Sequence, residues 1–355
     1  MKTKGKTYLR VATAILLLLG GGFGAFISKL SVSFVSAKDI NSPSSSSSAN
    51  RNVAPIISQN YSENLSLNKS FTDYDWVLSV AISPDGQYLV SSNADKTISI
   101  WNVNTGQLLR TLRGHTDRVT SIAISPDGKN IVSGSYDNTI KIWNLATGQL
   151  IRSFRKNVGD VYAVAISPDG RNIVSSTSEG LVELWNFQGQ LIFAMAGHTG
   201  WVTSVVVSSD GKTIVSGSGD KTIKIWDLNT GKLKKSLTDS NSVLDVAISP
   251  NGQTIVSGNY DKTIKVWNLN TGDLIRTLNG HGDSVYTVAI SPDGKRIVSG
   301  SNDGIIKVWN LNTGELLNTL KAHTDRVESV AISSDGQSLA SGSWDKTIKI
   351  WQISR

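Results

Sequence analysis

Seven tryptophans, Trp101, Trp143, Trp185, Trp226, Trp267, Trp309 and Trp351, lie 42, 42, 41, 41, 42 and 42 residues apart. A period held this tightly restricts the chain to copies of one supersecondary unit, each burying its apolar face against the next. The unit is clearest at 114–143, where Gly114-His115 precedes Val119, Ile122-Ala123-Ile124-Ser125-Pro126-Asp127-Gly128, Ile131-Val132-Ser133-Gly134-Ser135, Asp137 and Ile140-Lys141-Ile142-Trp143. Each apolar run is short, rich in β-branched residues and closed by a turn, which is the pattern of strands. Ser-Pro-Asp-Gly and its variants at 208–211, 249–252 and 333–336 put Gly where a hairpin turn wants positive φ, and Asn-Thr-Gly, as at 104–106, marks a turn after the Trp. No stretch of the repeated body holds a helical period, so the expected class is all-β, with four short antiparallel strands per unit. A chain of 355 residues, 39% of them hydrophobic, also has ample material for a core, which excludes a disordered or coiled-coil protein.

Seven such units in fixed register resemble the WD-repeat β-propeller family over roughly residues 62–355, and their regularity resembles its bacterial-type, exported or membrane-anchored members. Only Trp226 is followed by the Asp of the family's name; the other repeat tryptophans are followed by Asn or Gln. The resemblance implies a seven-bladed β-propeller of four-stranded antiparallel blades. The units supply 21 strands up to their Trp, and the intervals between successive Trp supply six more, one short of seven complete blades. Gln352 to Arg355 are too few to form it, whereas the alternating stretch from Asn64 to Phe71 is suited to complete the last blade and cover its open edge. The propeller is accordingly expected over 61–355, with its closing strand at about 64–71.

Four units carry His, Ser and Asp in constant spacing: His115, Ser133, Asp137; His198, Ser216, Asp220; His281, Ser299, Asp303; and His323, Ser341, Asp345. These residue types also build a hydrolase triad. An enzyme needs one such site, however, and four copies at the repeat period point to structure. The family resemblance implies buried hydrogen-bonded tetrads that end on Trp143, Trp226, Trp309 and Trp351. The other units have Asp73, Asn157 and Asp239 in place of His, and the third also replaces the turn Asp by Glu179. Asp239 is expected to lack a network, so His281→Ala should be the more damaging change. No catalytic residue is expected, and no unique polar cluster marks one blade. No metal or other cofactor is expected either, because the four His lie in different units and Cys is absent.

In the resembled family, partners meet the residues flanking the first Val of each unit and the residue before the turn Asp. On this chain those positions include Trp76, Arg118, Tyr136, Tyr162, Trp201, Tyr260, Tyr286, Arg326 and Trp344. All three tryptophans outside the repeat series fall in this set, and Trp, Tyr and Arg dominate binding hot spots. Once the ring closes, Trp76 and Trp344 should lie close together, with Trp201 across the ring. The competing structural expectation is that these aromatics pack over loops.

Residues 1–60 hold seven basic side chains, Lys2, Lys4, Lys6, Arg10, Lys29, Lys38 and Arg51, against Asp39 alone. That leaves the repeated body nearly neutral despite a net charge of +7, which argues against nucleic-acid binding. The apolar stretch 11–27 follows four of those charges, so 1–37 is expected to be a signal anchor, or a signal peptide cleaved after Val35-Ser36-Ala37. Residues 38–60, with the run Ser44 to Ser48, then form a flexible linker. The expected localisation is a single-pass membrane attachment with the propeller on the non-cytoplasmic side, or a secreted or periplasmic domain after cleavage. Together these features lead to a non-enzymatic interaction platform for a protein or peptide, attached to a membrane through its N-terminal segment. The alternative is a glycan-binding propeller that stacks sugars on Trp and Tyr.

Overall fold

The computed structural model of the chain describes residues 65–155 and 159–353. The apolar N-terminal stretch and the serine-rich linker lie outside the described residues, as does Asn157. The described residues hold twenty-eight strands arranged as seven four-stranded antiparallel sheets. In blade two, for example, an inner strand Val119–Ile124 leads through Asn130–Ser135 and Thr139–Asn144 to the outer strand Leu150–Arg155. Blades one to six are each built from four consecutive strands. Blade seven takes its inner three from Val327–Ile332, Ser338–Ser343 and Thr347–Ile353, and its outer strand from Leu65–Thr72 at the other end of the domain.

Turn chemistry fixes the hairpins. Ser125 Oγ donates to Asp127 Oδ1 at 2.5 Å, that oxygen also accepts from the Lys129 amide at 3.1 Å, and Gly128, at φ +69°, donates its amide to the Ser125 carbonyl. The Asp is thus an acceptor clamp that closes the turn, which explains why it recurs where the preceding Pro does not.

The core is not a central mass. It is divided into seven apolar layers, each shared by two neighbouring blades. Ile98, Ile100 and Leu112 of blade one pack with Val119, Ile131 and Trp143 of blade two. Ile348 and Ile350 of blade seven, with Phe71, pack in the same way on Val77, Leu89 and Trp101 of blade one. The last of these layers closes the ring.

A second set of ties runs around the channel. The inner-strand residue two after the first Val accepts a hydrogen bond from a main-chain amide of the next blade: Val80 to Ser329 Oγ at 3.1 Å, Ile122 to Ser79 Oγ at 3.4 Å, Val164 to Ser121 Oγ at 3.1 Å, Val246 to Ser204 Oγ at 3.3 Å and Val330 to Thr287 Oγ1 at 3.2 Å. Asp245 fills this position in blade five and accepts from the Val288 amide at 2.8 Å. Its enclosure pushes the carboxyl up to about 6, against the Ser204 hydroxyl and the amides that favour the charged form. Blade three has Ala163 here, with no side-chain acceptor.

Among the described residues no helix is long and apolar enough to cross a membrane.

Candidate functional site

Each tetrad joins the loop that enters an inner strand to the two middle strands of its blade. In blade two the Trp143 indole Nε1 donates to Ser133 Oγ at 2.9 Å. The hydroxyl proton then points to His115 Nε2, 2.8 Å away, and the Nδ1–H faces Asp137 at 2.9 Å. Blade four repeats this through Trp226, Ser216, His198 and Asp220, and blade seven through Trp351, Ser341, His323 and Asp345. Burial raises the Asp137 and Asp345 carboxyls, but hydrogen bonds from His and Thr side chains outweigh it and hold both well below the usual range. Burial lowers His198 and His323 in spite of their Asp partners. All four serines are fully buried, so no substrate reaches an Oγ; the chain of donors joins strands instead of activating a nucleophile.

Blade six departs from this pattern. His281 Nε2 contacts Ser299 Oγ at 2.7 Å, yet Nδ1 has no hydrogen-bond partner. Asp303 turns instead to the amides of Gly282 and Ile305, at 3.2 and 3.1 Å. The other three sets each have a threonine, Thr139, Thr222 or Thr347, that donates to the Asp and also contacts the imidazole nitrogen; Ile305 occupies that position in blade six and supplies no hydroxyl. Burial therefore lowers His281 to about 4, with the Asp303 charge only partly opposing it.

Two blades without His use carboxylates. In blade one Asp73 accepts from Ser91 Oγ at 2.7 Å, and Ser91 in turn accepts from the Trp101 indole at 3.1 Å. In blade five Asp239 forms a buried ion pair with Lys265, whose ammonium also meets Ser240 Oγ at 2.7 Å and Asp261 at 3.5 Å. This corrects two expectations: Asp239 does have a network, and one blade does carry a polar cluster of its own. In the sequence this blade combines Asp at the His position with Lys on the third strand, but the Lys alone is no signal, because it recurs in blades where it bonds a hydroxyl. With the ammonium 5% exposed as a residue and already surrounded by acceptors, the cluster is structural.

The loop face is ordered by a main-chain rule. In every blade the residue before the turn Asp donates its amide to the carbonyl of the residue before the first Val, as Tyr136 to Arg118, Gly219 to Trp201 and Trp344 to Arg326. The two positions therefore stand side by side in each blade, where their side chains can meet those of neighbouring blades. At the seam between blades seven and one, the Trp76 and Trp344 rings stack at 4.3 Å with 3° between their planes. The Arg326 guanidinium lies over the Trp344 ring at 4.0 Å and over the Tyr286 ring at 3.8 Å, and Arg118 lies over Trp76 at 5.5 Å. Arg326 is held from the side by Asn302 Oδ1, which accepts from its Nε at 2.8 Å, and by Glu328 at 3.5 Å. The result is one column, Tyr286, Arg326, Trp344, Trp76 and Arg118, spanning blades six, seven, one and two.

The remaining face residues stand apart from it. Tyr136 and Tyr162 meet at 5.4 Å, tilted by 57°. Tyr260 is exposed. Trp201 lies flat on Gly219, where a Cβ would come within 2.2 Å of its indole nitrogen, and it keeps 44% exposure.

The profile described as WD domain, G-beta repeat matches residues 65–102, 106–144, 148–186, 189–227, 231–268, 272–310 and 314–352. The chain belongs to the WD40 repeat family. Curated proteins similar to this WD40 chain include the ribosome biogenesis protein BOP1 homologs of Drosophila melanogaster, 49% identical over 45 residues, and Drosophila persimilis, 50% identical over 38 residues. The matches cover 13% and 11% of this chain and only 6% and 5% of those proteins, about the length of one WD40 repeat. Neither comparison carries the bacterial-type or exported refinement of the family. The expected localisation, membrane-anchored with a non-cytoplasmic propeller or exported after cleavage, is corrected by two findings. The described WD40 domain has no membrane-crossing helix, and the relatives are named for ribosome biogenesis, not for a membrane.

Proposed function

We propose that the chain is a non-enzymatic WD40 scaffold that binds a protein or peptide on its loop face, centred on the column at the seam of blades seven and one. One observation carries this: the five side chains Tyr286, Arg326, Trp344, Trp76 and Arg118 come from four blades and follow one another at separations of 3.8, 4.0, 4.3 and 5.5 Å. Rotamers locked in this way lose little entropy on binding, and Trp, Tyr and Arg are the residues on which interface energy concentrates. The same geometry weighs against a glycan platform, because sugar stacking needs an open ring face and both faces of Trp344 are covered.

A match one repeat long supports the repeat and not an assembly, so ribosome biogenesis is not adopted as the role of this chain. The test is capture of interacting proteins by the full chain and by two variants. Arg118→Glu, at an exposed position, should abolish capture of the specific partner without changing the melting temperature. Trp76→Ala with Trp344→Ala should weaken it by roughly 2 kcal/mol or more per residue. Undiminished capture by folded forms of both variants rules this face out.

A further inference from the structure

The seven outer strands leave one edge of every blade unpaired, and such edges invite pairing with another strand unless charge or shape blocks it. Six of them carry a basic side chain within the strand, which self-pairing would have to accommodate. Lys69, Arg110, Arg152, Lys235 and Arg276 stand at the same place in their strands, and Lys321 ends the outer strand of blade six. The outer strand of blade three, Leu191–Ala196, reads Leu-Ile-Phe-Ala-Met-Ala and has no charge at all. Phe193 replaces the basic residue and packs against Gly231 of the next blade, so it offers no cation to the edge. Ala194 replaces the Ser or Thr of the other outer strands, opposite Glu183 where most blades have Lys. Leu191 and Ile192 are 47% and 43% exposed.

Among the described residues, pairing occurs only along the other edge, with Leu181–Asn186. Among the described residues, no main-chain bond to any further element engages residues 191–196.

We propose that this edge pairs antiparallel with the same strand of a second copy of the chain, giving a twofold dimer with a continuous eight-stranded sheet. The occupant follows from charge. Paired with itself, Leu191–Ala196 places only apolar residues opposite one another in any register, whereas each other outer strand of the chain would bring a buried cation to the seam, and self-pairing of those strands would oppose like charges. A twofold strand pair is isologous and uses up both edges, so assembly stops at two. An interface of one strand from each copy is small, which places the dimer at the weak end of specific association.

Sedimentation velocity of the full chain over about 1–100 µM resolves this range. The wild type should pass from monomer to dimer. Ile192→Lys, which copies Lys234 at the equivalent site of blade four, should weaken the dimer at least tenfold. Ile275→Lys, at the same site of blade five and 48% exposed, should leave it unchanged. If Ile192→Lys lowers the melting temperature, Ala196→Lys, which copies Lys321, takes its place in the comparison. A wild type that stays monomeric overturns the proposal. So does a dimer that survives the blade-three lysine, or one that both lysines disrupt equally.

Discussion

Asp239 and His281 occupy the same repeat position in adjacent blades, yet removing them strands different partners. Asp239→Ala leaves the Lys265 ammonium buried with only Asp261 at 3.5 Å as counter-charge, and should cost about 3 kcal/mol. His281→Ala removes one hydrogen bond to Ser299, which keeps the Trp309 indole as donor, and should cost roughly 1–2 kcal/mol. Urea midpoints should therefore rank Asp239→Ala as the less stable, the reverse of what the repeat pattern alone suggests; equal or inverted midpoints would refute this. Acid sharpens the test. Folding holds His281 at about 4, below its ordinary 6.5, so the unfolded chain binds the extra proton between those values and the wild type loses stability as pH falls through them. The penalty of His281→Ala should shrink over that window. The tetrads were legible because the period superimposes His, Ser, Asp and Trp. The ion pair was not, because Lys recurs at the Lys265 position in blades where it bonds a hydroxyl instead, as Lys141 to Ser153 and Lys224 to Ser236.

Strands pack across blade boundaries through a glycine on the second strand. A Cβ on Gly342 would meet Val77 Cγ1 at 2.5 Å and Val80 Cγ1 at 2.8 Å, so the last blade sits directly on the inner strand of the first. Gly342→Ala forces those valines apart and should cost about 1–3 kcal/mol. The paired change Gly342→Ala with Val77→Ala should recover part of that loss in thermal melts, because the second change returns volume to the same contact; a purely additive pair would show that the strain lies elsewhere. Blade three carries Ser176 where this glycine stands in its neighbours, together with Ala163, Glu183, Phe193 and Ala194 at positions the other blades fill differently. These departures were visible in the alignment of the repeats. Their consequence was not, since only the sheet order shows that Leu191–Ala196 is an edge. The seam column had the same history: adjacency of Trp76 and Trp344 followed from ring closure, while the guanidiniums between and beside the rings depend on side-chain directions that spacing does not encode.

At the scale of the whole molecule, stability depends on one strand borrowed from the far end of the domain. Leu65–Thr72 pairs with Thr347–Ile353, and Phe71 stacks on Trp101 of blade one at 5.5 Å, so the strand fastens blade seven on one side and blade one on the other. Without it, Thr347–Ile353 becomes an open edge and an apolar layer loses its cover. An open array of blades would behave as a chain of nearest-neighbour units, each able to fray, whereas a closed ring has no end blade from which to begin. Two truncations separate these cases. A chain starting at Leu65 should unfold in a single transition, with calorimetric and van't Hoff enthalpies in agreement. A chain starting at Asp73 should melt lower and over a broader range, and a synthetic peptide spanning 65–72 should restore the sharp transition by adding back the missing strand. If the shorter chain melts at the same temperature and with the same cooperativity, the blades hold the ring through their apolar layers and inner-strand hydroxyls alone, and closure by the borrowed strand is dispensable.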